Sequence, residues 1–188
     1  MGLAFKDQPG GGYWTAQNWM VPQVREYKSA LLQEIIERYK PDGISLDFLR
    51  APLFFNASTS TSAERHSIMG AWVRDLKARM VAGGVPTLSA RVPPDTRTLD
   101  AIGLDLGALS KDGTLAFLTL GINYDSFMLQ DSDALAIVRT LPPAFPTLFE
   151  VSYVKAQGDQ KQNAEWSGLP SGLLGPHHPP MLGIGSTS

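Results

Sequence analysis

The chain has 188 residues, 43% of them hydrophobic and 18% charged, which excludes a disordered protein or a highly charged tail protein. Its 16 basic and 18 acidic residues give a formal net charge of −2, without the basic stripe that is typical of nucleic-acid-binding proteins. The absence of cysteine excludes disulfide scaffolds, thiol catalysis and cysteine-based zinc sites.

Neither a membrane span nor a secretory leader is predicted. The sequence has no run of about 18 apolar residues. Residues 1–20 lack both the basic start and the apolar core of a signal peptide. These features assign the protein to no cellular compartment.

The first predicted helix follows a loop over residues 1–21 and covers Pro22–Tyr39. Pro22 suits the first helical turn, and Pro41 with Gly43 ends the helix. Apolar residues recur along it with the spacing of one helix face, at Val24, Tyr27, Leu31, Ile35 and Tyr39, widened by Leu32 and Ile36.

A strand and a second helix come next. Gly43–Arg50 is short and largely apolar, which predicts a buried parallel strand. Thr61 and Glu64 have the spacing of a capping box, and the helix that they begin is predicted to run to Ala82. Its apolar face is predicted to contain Ile68, Trp72, Leu76 and Met80.

The alternation of helices and strands continues to residue 151. The predicted elements are a strand at Pro86–Val92, short helical turns at Asp100–Leu109, a strand at Leu115–Gly121, a helix at Asp131–Leu141 and a strand at Pro146–Val151. This order predicts parallel strands that are joined by right-handed crossovers. Residues 156–188 are rich in Gly and Pro, and we expect an irregular tail there, with one further strand considered near Met181–Ile184.

Two stretches resemble the glycoside hydrolase-like barrels of bacteria. Residues 18–27 (NWMVPQVREY), the helix end at Tyr39 and residues 42–50 (DGISLDFLR) are similar to the family pattern N-P-x-V-R-x-Y … R-Y-x-x-D-G-I-x-L-D-Y-x-R. The stretch Asp105–Tyr124 also looks like the sixth strand of that family. The resemblance covers roughly residues 14–155 and is most specific in the first block.

The resemblance implies an α/β fold of the (β/α)8 type. The predicted strands from Gly43 to Val151 would be the fourth to the seventh, so residues 1–155 would form a partial barrel that lacks the first three strands. A complete barrel needs about 200–250 residues. A truncated gene product, a part-barrel that closes by self-association and a rearranged α/β fold all stay open. Since open strand edges are hazardous, we expect a homo-oligomer or a covering tail.

A chitinase is set aside. Chitinase-type barrels carry D-G-x-D-x-D-x-E on a similar fourth strand. Here Ser45 replaces the first inner acid and Leu49 replaces the terminal glutamate, so the catalytic acid of that family is missing.

Two carboxylates are the candidate catalytic groups. Barrel active sites lie at the carboxyl ends of the strands, and glycoside hydrolysis needs one acid for the leaving oxygen and a second carboxylate that attacks carbon or activates water. Asp47 is the predicted acid/base and Glu150 the predicted nucleophile or base. Glu150 is assigned by strand position and not by a matched motif, so another acid in that role stays open. A carboxyl separation of about 5–5.5 Å would indicate a retaining enzyme, and about 6.5–9.5 Å an inverting one.

These residues also have structural interpretations. Asp47 lies in an otherwise apolar strand, where an unpaired buried charge is costly, so it is either a reactive group or an ion-pair partner of Arg50 or Arg91. Glu150 is either reactive or the cap of a turn. The predicted sugar-binding residues are Arg50, Arg91, Asn123, Tyr124, Trp14 and Trp19. Core packing is the alternative for the tyrosine, and loop anchoring for the two tryptophans.

No metal site or cofactor is predicted. The adjacent His177 and His178 point in different directions and make a poor metal pair. Asp131 and Asp133 lack the remaining ligands of an ion-binding loop.

The sequence predicts a glycoside hydrolase-like enzyme that cleaves a glycosidic bond in a poly- or oligosaccharide. The alternatives are a non-catalytic sugar-binding module, the remnant of a truncated barrel, or a small-molecule binder on a flavodoxin-like sheet. The lack of a Gly-rich first turn argues against a nucleotide ligand on such a sheet. The sugar, the linkage and the stereochemical course stay open.

Overall fold

The computed structural model describes residues 16–49, 52–121 and 134–150. The fold is mixed α/β, as the sequence predicts. Its elements in chain order are α1 (Pro22–Tyr39), β1 (Gly43–Asp47), α2 (Ser62–Ala82), β2 (Thr87–Val92), α3 (Thr96–Ala101), α4 (Leu106–Lys111), β3 (Phe117–Leu120), α5 (Ala134–Thr140) and β4 (Thr147–Phe149).

The four described strands form one parallel sheet in the order β1-β2-β3-β4. The register places Asp47 of β1 opposite Arg91 of β2, and Arg91 opposite Thr119 of β3. Each pair of neighbours in the sheet is therefore also a pair of consecutive strands in the sequence. The predicted parallel pairing is confirmed for these strands.

Successive side chains of a strand point to opposite faces of the sheet. The two faces of this sheet differ in how deeply their side chains are buried. On one face the apolar side chains join the buried face of α2 in a single core, and they include Leu88, Ala90, Val92, Leu118 and Leu120. The opposite face, here called the open face, carries the exposed Ser45, Asp47 and Leu148, the half-buried Thr119 and the buried Ser89. Polar side chains at the strand ends therefore meet on the open face.

The predicted start of α2 is confirmed. The Thr61 hydroxyl accepts a hydrogen bond from the Glu64 N–H at 3.2 Å, and the Glu64 carboxylate accepts one from the Thr61 N–H at 2.7 Å. These reciprocal bonds satisfy two donors that a helix start leaves unpaired. The hydrogen bond from the Thr61 backbone also lowers the pKa of Glu64. Trp72, Leu76 and Met80 are buried as predicted, whereas Ile68 is only half-buried.

The predicted apolar face of α1 is mostly not buried. The bounds of the helix are confirmed, but only Val24 and Ile36 are buried. α1 packs against α2 through a different face, where Trp72 Nε1 donates to Ser29 Oγ at 2.9 Å. The exposed side chains are Tyr27, Leu31, Ile35 and Tyr39. Self-association stays a prediction.

Several predicted boundaries were wrong. The first strand was predicted to reach Arg50 but ends at Asp47, because the Asp47 carboxylate accepts a hydrogen bond from the Leu49 N–H at 2.9 Å and the chain turns there. The short helical turns predicted at Asp100–Leu109 are two short helices with other bounds, α3 and α4, which are separated by Gly103 with φ +73° and capped by aspartates at both starts. The third and fourth strands are shorter than predicted.

The predicted tail at residues 156–188 and its strand near Met181–Ile184 lie outside the described residues. So do Asp131, Asp133, His177 and His178. Among the helices that the structure describes, none is long and apolar enough to cross a membrane.

Candidate functional site

Three charged side chains meet at the carboxyl ends of the strands. Asp47 ends β1, Arg91 lies near the end of β2, and Glu150 follows β4 directly. The register and the alternation of side chains place all three on the open face. Parallel strands bring their carboxyl ends to one edge of a sheet, so residues far apart in sequence become neighbours. We call these three residues the strand-end cluster.

The guanidinium of Arg91 contacts both carboxylates. Its Nε donates to Glu150 Oε2 at 2.7 Å, and its Nη2 lies 2.5 Å from the same oxygen. Its Nη1 donates to Asp47 Oδ2 at 3.1 Å and lies 3.3 Å from Asp47 Oδ1. Glu150 is therefore held by the shorter, charge-assisted contacts, and Asp47 by a longer one. The guanidinium lies between the two groups that the sequence predicts as catalytic.

The two carboxylates stabilise the charge of Arg91. Burial by itself lowers the pKa of Arg91, but the hydrogen bond to Glu150 and the charge of Asp47 outweigh this effect and raise the pKa above its ordinary value. Arg91 is therefore a permanent cation in the cluster.

Asp47 is more exposed than its apolar strand suggested. Its side chain is 53% exposed, so the argument from the cost of a buried charge does not apply to it. Its ion pair with Arg91 confirms the interpretation in which Asp47 is an ion-pair partner of Arg91. Arg50, the other predicted partner, lies outside the described residues.

Glu150 is fixed by its backbone as well as by its side chain. Its N–H donates to Leu120 O at 2.8 Å, which extends the β3–β4 hydrogen-bond ladder by one residue. The sequence also offered a structural interpretation, in which Glu150 caps a turn. Such a turn would begin at residue 151, which lies outside the described residues. Its contacts instead run across the sheet to Arg91.

Sequence reasoning missed Gly121, which follows β3 and lies beneath the contact between Arg91 and Glu150. A Cβ atom on Gly121 would lie 2.5 Å from Glu150 Oε2 and 3.2 Å from Arg91 Nε. A glycine at the end of a predicted strand is a sign that another group approaches the backbone closely. That sign was present in the sequence, but it does not say which group approaches.

The predicted aromatic sugar contacts are only partly within the described residues. Trp19 is 5% exposed and packs edge-on against Phe54 and Trp72. This packing favours the loop-anchor interpretation of Trp19. Trp14, Asn123 and Tyr124 lie outside the described residues.

Two other features of the described residues do not involve the cluster. A cavity of about 550 Å³ lies between α1 and α2, where its lining includes Arg25, Gln33 and Arg79 and none of the predicted site residues. Within residues 16–49, 52–121 and 134–150, no group of three or more His, Cys, Asp or Glu side chains is placed to hold a metal ion. Of the predicted site residues that the structure describes, Asp47, Arg91 and Glu150 thus meet in the strand-end cluster, and Trp19 does not.

No protein-family model matches the chain, and no curated protein matches it at a significant level of similarity.

Proposed function

We propose that the chain is a carbohydrate-active enzyme that hydrolyses a glycosidic bond at the strand-end cluster. One observation carries the proposal: two carboxylates from strands at opposite sides of the sheet, Asp47 and Glu150, converge on one guanidinium at the carboxyl ends of parallel strands. A pair of carboxylates is the catalytic requirement of most glycoside hydrolases. The resemblance of residues 42–50 to glycoside hydrolase-like barrels supports the same assignment.

We also propose that the scaffold is part of a (β/α)8 barrel. The described strands follow one another in sequential order without a reversal, and right-handed crossovers then place the connecting helices on one face of the sheet. Doubly wound sheets such as the flavodoxin type reverse their strand order and carry helices on both faces. The open face, with its polar strand ends, would be the barrel interior. This order favours the barrel over the flavodoxin-like alternative.

In the proposed reaction the two carboxylates have different roles. Asp47, the more exposed and more weakly held group, delivers a proton to the leaving oxygen as the glycosidic bond breaks. In the retaining course Glu150 attacks the anomeric carbon, and Asp47 then removes a proton from the water that releases the sugar from Glu150. In the inverting course Glu150 instead removes a proton from the water that attacks the anomeric carbon. Arg91 keeps a positive charge between them. No cofactor takes part in these steps.

A second candidate is sugar binding without hydrolysis, and one observation favours it. Arg91 contacts both carboxylates at once, so each of them is held in an ion pair. A catalytic carboxyl group has to be free to react with the sugar or with water. A module that uses the same cluster only to bind sugar hydroxyls has no such requirement.

The test is the release of reducing sugar from a panel of polysaccharides by the wild-type chain and by Asp47→Asn and Glu150→Gln. Each substitution should lower the rate by at least about 100-fold, since each removes an acid–base or nucleophilic group. Asp75→Asn is the matched control, because Asp75 forms an exposed ion pair with Arg79 on α2, away from the cluster. Its rate should equal that of the wild type.

Each outcome separates the candidates. Release that survives in both cluster variants removes Asp47 and Glu150 from the mechanism. Binding to a polysaccharide in affinity electrophoresis without any release supports the sugar-binding module. When release occurs, the anomer that forms first, followed by proton NMR, gives the stereochemical course.

A further inference from the structure

The contact between Arg91 and Glu150 crosses the end of β3. Arg91 belongs to β2 and Glu150 follows β4, and β3 lies between these two strands in the sheet. Gly121 is the residue that directly follows β3. The ion pair therefore passes over Gly121, and it can do so only where the backbone carries no side chain that blocks the path.

The distances at Gly121 are too short for any side chain. A Cβ atom there would lie 2.5 Å from Glu150 Oε2 and 2.5 Å from Leu49 Cδ1, closer than real Cβ contacts. Glu150 Oε2 is the same oxygen that accepts the hydrogen bond from Arg91 Nε. Leu49 is almost fully buried, so it has little space into which to move.

The backbone cannot relieve this clash at low cost. The Gly121 N–H donates to Val92 O at 3.0 Å, and the Glu150 N–H donates to Leu120 O at 2.8 Å. Both residues are thus fixed to neighbouring strands by ladder hydrogen bonds. A methyl group on Gly121 would have to push the Glu150 carboxylate away from Arg91.

We propose that Gly121 and Arg91 are positioning residues that hold the Glu150 carboxylate over the end of β3. This inference rests on the proposed function, in which Glu150 is the nucleophile or base. It changes the role of Arg91, which the sequence predicts as a sugar ligand. Nε and Nη2 contact Glu150 and Nη1 contacts Asp47, so each guanidinium nitrogen has a carboxylate partner. Arg91 acts on the reaction through the two carboxylates.

The kinetic test uses Gly121→Ala, with the hydrolysis assay above. We expect kcat to fall by roughly 10- to 100-fold, because a displacement of about 1 Å at a reacting group has an effect of that size. KM should change by less than about 3-fold, because no contact to the sugar is removed. Arg91→Lys keeps the positive charge but cannot contact both carboxylates in the same way, and it should show the same pattern. A raised KM with unchanged kcat in Arg91→Lys would identify Arg91 as a sugar ligand and overturn the proposal.

The control is Gly70→Ala, another glycine-to-alanine change. Gly70 lies within α2, and a Cβ there would meet only the flexible end of Arg74, at 3.0 Å. This variant should keep the wild-type kcat and KM. Circular dichroism and thermal unfolding of both variants separate a moved carboxylate from a damaged fold.

A second measurement needs no substrate. The Nε–H of Arg91 donates to Glu150, so its ¹⁵N–¹H signal should be protected from solvent exchange in the wild type, and it is assigned by its loss in Arg91→Lys. Gly121→Ala should lose that protection, whereas Gly70→Ala and Asp47→Asn should keep it. An unprotected signal in the wild type, or a protected one in Gly121→Ala, overturns the proposal. If the panel shows no hydrolysis, the proposed function fails, and the NMR result still decides whether Gly121 and Arg91 hold Glu150.

Discussion

Arg65 forms the most buried charged contact in the described part of the chain, and its removal tests how that contact stabilises the fold. The Arg65 side chain is 7% exposed, and its Nη2 lies 2.6 Å from Asp100 Oδ2. Its Nη1 donates to Ser60 O at 2.8 Å, and its Nε donates to Asp100 O at 3.0 Å. One side chain thereby joins α2 to α3 and to the loop before α2. We predict that Arg65→Met destabilises the protein by about 3.5 kcal/mol.

The magnitude follows from these contacts. Methionine keeps the apolar stem and a high helix propensity, so packing and propensity change little. Two hydrogen bonds to backbone carbonyls are lost, at about 1 kcal/mol each, and one charge-assisted pair, at about 1.5 kcal/mol. The value for the Arg65–Asp100 pair is taken from the lower end of the range for hydrogen bonds to charged groups. Asp100 is 42% exposed, so water can replace part of the contact that its carboxylate loses.

The assay is urea unfolding, followed by circular dichroism. Arg74→Met is the matched control, because Arg74 also lies on α2 and pairs with an aspartate, Asp112, at 2.7 Å, but its side chain is 46% exposed. This control should lose less than about 1 kcal/mol. A loss below about 1 kcal/mol for Arg65→Met, or equal losses for the two variants, would refute the reasoning that burial makes the Arg65 contacts stabilising.

Two further predictions use the same unfolding assay. Gly103→Ala should cost at least about 2 kcal/mol, since Gly103 has φ +73° and a Cβ there would lie 2.3 Å from Arg65 O. Gly113→Ala, with φ +74° and no atom within 4 Å, should cost only about 1 kcal/mol of backbone strain; equal losses would show that the contact with Arg65 is unimportant. The hydrogen bond from Ser62, followed by the contacts with Arg65, lowers the pKa of Asp100 from 3.8, despite the opposing effect of burial. The resulting stabilisation is complete above pH 3.8 and is lost as the pH falls towards the lower folded pKa. Asp100→Asn should therefore unfold with a shallower pH dependence below pH 3.8 than the wild type, and an unchanged slope would exclude Asp100 as a source of acid sensitivity.

Local features of the sequence determined much of the secondary structure. The bounds of α1 and the capping box of α2 follow from short-range chemistry, namely a proline in the first turn and the Thr61–Glu64 spacing. The alternation of elements also determined that the described strands are parallel. Local reasoning failed where a hydrogen bond with one side chain redirects the backbone. At Asp47 the carboxylate accepts a hydrogen bond from the Leu49 N–H, and the strand ends three residues before the predicted end at Arg50.

The choice of buried face needed the tertiary structure. Periodicity shows that α1 is amphipathic, but it does not say which neighbour covers the helix. α1 packs against α2, and in the folded chain Ile36 is buried whereas Tyr27 and Tyr39 are exposed. Burial depends on elements that are distant in sequence, so a helical pattern alone does not determine it.

The sequence by itself determined the candidate acids, because polar residues at the ends of apolar strands stand out in the pattern. Only the tertiary structure decided what those acids contact. Arg91 and Glu150 are 59 residues apart in sequence, and the sheet register brings them together across β3. The need for a glycine at position 121 follows from the same register, because the space above a strand end is set by the side chains of both neighbouring strands.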